Sequence, residues 1–262
     1  MSQVTVTPLY EGTFAVGMDK VFNRMNRHDA PPKATLKLSI HPFLIRDEAY
    51  TILFDAGLGD LVSPDSDIDV LLGNLEEQGI SEYDVTDIFI SHLHFDHFGG
   101  LAHRKSGFWE LTFPDARIWV SEEGWAKRKR YIDQQREEYA DFFYFLDSRA
   151  DLHFLPDDSR PIPPVRVWKS GGHSEHHQVL FYENGEDRFL MAGDVIGRRI
   201  AVNRSFKAKF DFDPNRSMDV RTELKELAYD EKYKILAYHE TDHPVFQLSG
   251  YEQKKGYSVE HL

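Results

Sequence analysis

Three imidazoles and a carboxylate fall within six consecutive positions of this chain, in the segment Ser91-His92-Leu93-His94-Phe95-Asp96-His97-Phe98-Gly99-Gly100. Surface loop histidines, or one buried histidine satisfied by hydrogen bonds, do not account for that density. A strand can send His92 and His94 to one side. The turn after it then brings Asp96 and His97 round to a neighbouring point, so one short loop can serve two metal ions about 3.5 Å apart. Gly99-Gly100 allows the backbone to bend closely around that loop.

Composition narrows the chemistry further. The chain has no cysteine but 13 histidines, so thiolate ligands, disulfides and cysteine nucleophiles are excluded, and any metal site is built from nitrogen and oxygen. Its 262 residues, 41% of them apolar, suffice to bury a full core, and a single domain covering 1–262 is expected. Acidic residues outnumber basic ones and leave a formal charge of −13, which argues against nucleic acid as a partner. The one basic run, Lys127-Arg128-Lys129-Arg130, reads as the solvated face of a helix. Met1 to Tyr10 lacks the basic start and apolar run of a secretory signal, and no apolar run reaches spanning length, so a soluble, cytoplasmic protein without a membrane partner is expected. Oligomeric state is not legible.

Along the chain, Val4-Val6, Thr35-Ile40 and Tyr50-Phe54 read as strands of one sheet, the last running into the turn Asp55-Ala56-Gly57. Apolar residues at Ile68, Leu71, Leu72 and Leu75 predict a helix over 68–78, closed by Gly79, and Val85-Ser91 forms a short strand that delivers His92. Ser121 to Leu146 is helical, as one long helix or two. In the second half the strand Val165-Trp168 leads to Gly171-Gly172-His173. The strands Gln178-Tyr182 and Arg188-Ala192 lead to Asp194, a helix covers roughly 218–228, and Tyr233-Tyr238 leads to His239. The Pro-rich stretch Pro156 to Pro164 reads as a loop. Polar residues thus recur at strand ends, which suggests two packed sheets covered by helices with the site at one end.

The string His-x-His-x-Asp-His, followed in order by Gly172-His173-Ser174, Gly193-Asp194 and Tyr238-His239, resembles the metallo-β-lactamase superfamily, over residues 92 to 239. The resemblance implies an α/β, four-layered αβ/βα sandwich. It implies two divalent metal ions, one bound by His92, His94 and His173 and the other by Asp96, His97 and His239, with Asp194 bridging them. Mixed imidazole and carboxylate ligands suit Zn2+; Mn2+, Fe2+ or Co2+ can bind the same set. His94 stands where an oxygen-reducing diiron branch has an acidic residue, which favours hydrolysis over redox chemistry. His176 and His177 compete with His173, but the family pattern puts the ligand directly after the glycine. His239 competes with His243 and is preferred for its place at a strand end. Alone, Asp194 would read as a turn residue; the ordered context makes it a ligand. Asp55 is either a turn residue or the carboxylate that orients a ligand imidazole, and the resemblance favours the latter. His28, His41, His103 and His153 receive no role.

Two divalent ions less Asp96, Asp194 and a bridging hydroxide leave such a site about one unit positive, suited to carbonyl oxygens and oxyanions. Metal coordination lowers the pKa of water from 15.7 to roughly 7, so the hydroxide can attack an ester, lactone, thioester or amide without a side-chain nucleophile, Asp96 orienting it and shuttling its proton. Within the superfamily, the 21 residues from His173 to Asp194 and the 45 from Asp194 to His239 resemble the N-acyl homoserine lactonases that degrade quorum-sensing signals. One departure stands out: a lactonase group carries a tyrosine three positions after the bridging aspartate, where this chain has Gly197. Phe14, Met18, Phe22 and Met25, spaced by four, four and three, form either the apolar wall of an acyl pocket or ordinary core, and the same alternatives apply to Phe206, Phe210 and Phe212. The competing activities are a glyoxalase-II-like thioesterase, a β-lactamase, a phosphodiesterase and a non-catalytic metal-binding domain.

Overall fold

The computed structural model describes residues 4–262; Met1–Gln3, the start of the stretch weighed above as a leader, lie outside the described residues. The chain divides into two compact units, with the boundary between Phe154 and Leu155.

In the first unit a six-stranded mixed sheet runs in the order Thr5–Pro8, Phe43–Arg46, Thr51–Phe54, Asp87–Phe89, Arg117–Ser121, Asp151–Leu155. Thr51–Phe54, Asp87–Phe89 and Arg117–Ser121 are parallel, with Phe54 level with Phe89 and Phe89 with Trp119. Parallel strands release the chain at one common edge, so the turn beginning at Asp55 and the ligand loop after Phe89 emerge side by side. Such strands are covered on both faces, which is why Ile88, Phe89 and Ile90 form an unbroken apolar run and are all buried. The helix Ile68–Glu77 forms as its spacing predicts, burying Ile68, Leu71 and Leu75, with Asp67 capping the amide of Asp69. The aromatic stretch is two helices, Glu122–Tyr131 and Glu137–Arg149, separated by a 3-10 turn, Ile132–Gln134. Trp125, Phe142, Phe143 and Leu146 point into the core.

Three expectations need correction in this unit. Leu36–Ile40 is not in the main sheet; it pairs with Gly12–Val16 in a separate three-stranded sheet completed by Phe22–Met25. Phe14, Met18, Phe22 and Met25 do not act as one apolar set either. A turn closed by the amide of Lys20 on the Gly17 carbonyl folds the segment into a hairpin, which buries Phe14 against Phe22 and leaves Met18 95% exposed. Finally, Arg128 departs from its solvated neighbours: its guanidinium lies over the Phe95 and Phe98 rings and donates to the Leu93 carbonyl inside the ligand loop.

The second unit is built on a seven-stranded sheet in the order Ser159–Ile162, Val165–Lys169, Gln178–Asn184, Asp187–Met191, Lys234–Leu236, Val245–Glu252, Gly256–His261. Its one parallel pair is Asp187–Met191 with Lys234–Leu236, with Met191 level with Leu236. Asp194 and His239 each lie three residues beyond that level and share an edge for the same topological reason as in the first unit. The crossover between the pair contains the helix Pro214–Asp230. Proline occupies its first turn, and Asp213 accepts from the amides of Asn215 and Arg216. Pro156–Pro164, expected as a loop, contains the strand Ser159–Ile162; Pro161 is compatible with it because the strand is at the sheet edge. No helix among the described residues is long and apolar enough to cross a membrane.

Two predictions follow from the packing around the Asp55 turn. Gly100 contacts backbone: a Cβ there would lie 2.0 Å from the Ala56 carbonyl oxygen. Gly100→Ala is therefore expected to destabilise the protein by roughly 1–3 kcal/mol or more, read by denaturant unfolding, since no side chain can move out of the way. Beside the same turn Glu11 is buried, accepting from the Leu58 amide at 3.2 Å, and burial pushes its carboxyl up to about 8. The folded state keeps this proton while the unfolded chain loses it near 4.5, so Glu11 destabilises the fold increasingly as pH rises from about 4.5 to about 8. Glu11→Gln should flatten that part of the stability–pH curve; an unchanged slope would remove Glu11 as its cause.

Candidate metal centre

In the first unit the site is organised by Asp55, which is completely buried and held at a positive φ of 60° by the turn it begins. One carboxylate oxygen accepts from the Ser91 amide at 2.6 Å; the other accepts from the Ser91 hydroxyl at 2.7 Å and from His97 Nδ1 at 2.6 Å. Desolvation raises the Asp55 pKa, opposed by His97 and the Ser91 donors. A second link joins the same two segments, the Ala56 amide donating to the His97 carbonyl at 2.7 Å. The ligand loop is thereby fastened to the end of the neighbouring parallel strand at both side-chain and backbone level.

The loop leaves its strand earlier than expected, at Phe89, and His92 lies three residues beyond. His94 is the N-cap of a one-turn helix, Phe95–Phe98, that carries Asp96 and His97. The rings of His92 and His94 converge, with Nε2 of the first 2.9 Å from Nδ1 of the second, and the His92 and His97 ring centroids are 4.1 Å apart. His97 Nε2 faces an oxygen of Asp96 at 3.6 Å. His92, Asp96 and His97 are buried.

In the second unit Asp194 stands between two imidazoles. One of its oxygens is 3.1 Å from His173 Nε2 and the other 2.9 Å from His239 Nε2. His173 Nδ1 is 2.9 Å from Asp211, and the Asp194 amide donates to His177 Nε2 at 3.3 Å, while His177 Nδ1 meets the Ser170 hydroxyl at 2.9 Å. His177 is thus a buried support for the Asp194 turn. His239 is 3% exposed, whereas His243 is at the surface, stacked on His261. Gly197 packs on His239: a Cβ there would lie 3.2 Å from its ring, so the position that carries tyrosine in a lactonase group is sterically tight in this chain.

The donor set fits divalent metal. In both units a carboxylate accepts a hydrogen bond from the Nδ1–H of a ligand candidate, Asp55 from His97 and Asp211 from His173, which fixes the tautomer with the lone pair on Nε2. The Nε2 lone pair of His173 then faces an Asp194 oxygen. Two acceptors at that distance repel unless a cation joins them. All seven of His92, His94, Asp96, His97, His173, Asp194 and His239 belong to clusters of His and Asp donor atoms that could hold a metal ion.

Asp211 and Arg221 had no signal in the ordered motif. Asp211 lies in a Phe-rich loop, 17 positions after Asp194, and its role depends on tertiary contact. Arg221, 4% exposed on the helix Pro214–Asp230, donates to the Val195 carbonyl at 2.9 Å and the Phe206 carbonyl at 3.1 Å. It therefore ties the Asp194 turn to the loop bearing Asp211. Burial lowers its pKa, and the Asp211 charge opposes that shift.

The model of the metallo-beta-lactamase superfamily matches residues 37–239. The N-acyl homoserine lactonase AiiA of Bacillus thuringiensis subsp. kurstaki is 25% identical over 237 residues, covering 80% of this chain and 85% of the lactonase. Among solved structures, a probable metal-dependent hydrolase from Staphylococcus aureus superposes with a TM-score of 0.78 at 18% identity, covering 100% of this chain and 98% of the other. AidC, a dizinc quorum-quenching lactonase solved with a product, superposes with a TM-score of 0.78 at 17% identity, covering 100% and 95%. These two structures share the fold of this chain.

If Asp211 fixes the His173 tautomer, Asp211→Ala should weaken zinc binding by about 10- to 100-fold in chelator competition without unfolding the chain. An affinity within twofold of the parent would assign Asp211 to loop packing alone.

Proposed function

The chain belongs to the metallo-beta-lactamase superfamily and is a metal-dependent hydrolase, and from that premise we propose that it opens a lactone or related ester, N-acyl homoserine lactones being the first substrates to try. The observation that carries the reading is the pair of carboxylate-oriented imidazoles, His97 on Asp55 and His173 on Asp211, each left with Nε2 as a ligand. We assign His92, His94, Asp96, His97, His173, Asp194 and His239 together as holders of two divalent ions, with zinc the first choice because imidazole and carboxylate oxygen suit it and a dizinc lactonase shares the fold. The two compact units then act as one hydrolase domain.

Divalent ions in that donor set supply Lewis acidity and bring the pKa of coordinated water to roughly 7. The chain's own groups do the rest. Asp96, on the first turn of Phe95–Phe98 and 8% exposed, keeps a carboxylate at the site that can take the proton of the attacking water and return it to the leaving oxygen. Asp194, with one oxygen toward His173 and the other toward His239, would be the ligand shared between the ions. The buried surroundings of His92, His97 and His239 strengthen every charge interaction made there. Neither a serine nor a cysteine nucleophile is needed, and the chain contains no cysteine.

The test is proton release by the zinc- or manganese-reconstituted protein from short- and long-chain acyl homoserine lactones, with a thioester and a phosphodiester as controls. Lactone opening should exceed both controls, and Asp96→Ala should lower kcat by about 10²-fold or more. Full activity in an Asp96→Ala variant of unchanged metal content would refute its role. Activity on the thioester or phosphodiester alone would refute the lactone reading.

A further inference from the structure

One segment runs against the charge of the whole protein. From residue 198 to 210 the sequence Arg-Arg-Ile-Ala-Val-Asn-Arg-Ser-Phe-Lys-Ala-Lys-Phe carries five cations and no acid, in a chain of net charge −13. Arg204, Lys207 and Lys209 are exposed, and among the described residues no carboxylate pairs with any of the three. Interleaved with them are apolar side chains that are also exposed: Ile200 at 48%, Phe206 at 37%, Phe210 at 58% and Phe212 at 63%. Isolated exposed apolar residues are ordinary. Three phenylalanines within seven positions among unpaired cations are the pattern of a binding surface.

The exposure does not come from looseness. The Phe212 amide donates to the His173 carbonyl at 3.0 Å, the Asp213 amide to the Gly172 carbonyl at 2.8 Å, and Asp211 holds the His173 ring. At the other end Asn203 exchanges two hydrogen bonds with the backbone of Tyr257, and Arg221 holds the Phe206 carbonyl. A loop pinned at this many points presents its rings and cations as fixed features. It is also pinned directly to a metal-ligand candidate, and the Phe210 ring centroid lies 6.3 Å from that of His173. Whatever the loop binds is therefore held beside the reacting groups, which favours a substrate over a lipid surface.

Resting on the hydrolase reading above, we propose that the segment 198–212 is the recognition element for an acid-bearing ester or lactone with a hydrocarbon arm: the cations meet a carboxylate- or phosphate-type charge and the phenylalanines meet the arm. This class is narrower than the lactone-or-ester reading and differs from an acyl homoserine lactone, which carries the arm but no charge.

The experiment compares two esters of equal chain length on the zinc-loaded full chain, phenyl octanoate and 4-(octanoyloxy)benzoate, which differ by one carboxylate. At low ionic strength the charged ester should be favoured in kcat/KM by roughly tenfold, and the ratio should fall toward one as salt rises to about 0.5 M. In the variant Arg204→Gln/Lys207→Gln/Lys209→Gln, checked for an unchanged melting temperature, the ratio should collapse at low salt as well. A parent ratio near one, or a ratio that survives the triple substitution, overturns the proposal. So does a triple variant that loses binding to phosphatidylglycerol vesicles while keeping the ratio, because the loop would then serve a membrane. If neither ester is hydrolysed, the ester part of the proposed function fails on its own. Calorimetric titration with decanoate then decides the loop: affinity weakened at least about fivefold in the triple variant supports it, and equal affinity overturns it.

Discussion

The contact on which the first unit's half of the site depends is the buried carboxylate of Asp55 against His97 and Ser91. It performs three tasks. It ends a central strand in a left-handed turn, it joins that turn to the loop after the next parallel strand, and it accepts a hydrogen bond from the Nδ1–H of His97. The first two are structural and the third is chemical, yet one side chain performs them all, so removing it would disconnect the loop and free the imidazole to take the wrong tautomer. Burial would ordinarily drive such a carboxyl toward its neutral form, and the Ser91 and His97 donors oppose that drive. Around this contact the backbone is packed without side chains between: Gly100 against Ala56, and Gly99 against Leu58.

The second unit reaches the same chemical end by a different construction. Its carboxylate for His173 comes from Asp211, on a loop between helices, instead of from a strand end. A loop has no ladder to fix it, and the structure compensates with Arg221, whose guanidinium spans from the Asp194 turn to that loop. A buried guanidinium is tolerated because its donors meet carbonyls and its face lies on the Phe206 ring. Parallel strand pairs supply the coarse alignment in both units, and buried charged groups supply the fine alignment.

What could be read from the sequence follows from this division. The strand-end positions of the polar residues were legible because parallel and buried strands are continuous apolar runs, and such runs stop where the ligands begin. The dense loop 92–97 was legible because nothing but chemistry explains it. Asp211, Arg221 and Arg128 were not, since each acts on a partner distant in sequence and none stands in a local pattern: Asp211 looks like any loop acid, and Arg128 like part of a solvated run. The N-terminal hairpin was not legible because the spacing of four, four and three comes from a turn at Gly17 and a two-residue alternation, and it distinguishes neither a pocket wall nor a core face. Pro161 hid an edge strand for a related reason, because proline argues against a strand only where both edges are hydrogen-bonded.

Net charge also carries less than it first appears to. A formal −13 spread over the surface repels a long polyanion, which must lie across many acidic groups at once, and in that sense it weighs against nucleic acid. A small anion samples a much shorter range. At physiological ionic strength charges beyond about 8 Å are largely screened, so what such a molecule meets at the loop 198–212 is set by the exposed Arg204, Lys207 and Lys209 of that loop, not by distant acids. Global acidity and a local basic loop are therefore compatible, and together they select by size: large anions are turned away by the surface as a whole, while a small one with an apolar arm finds cations and phenylalanines fixed in place beside the site.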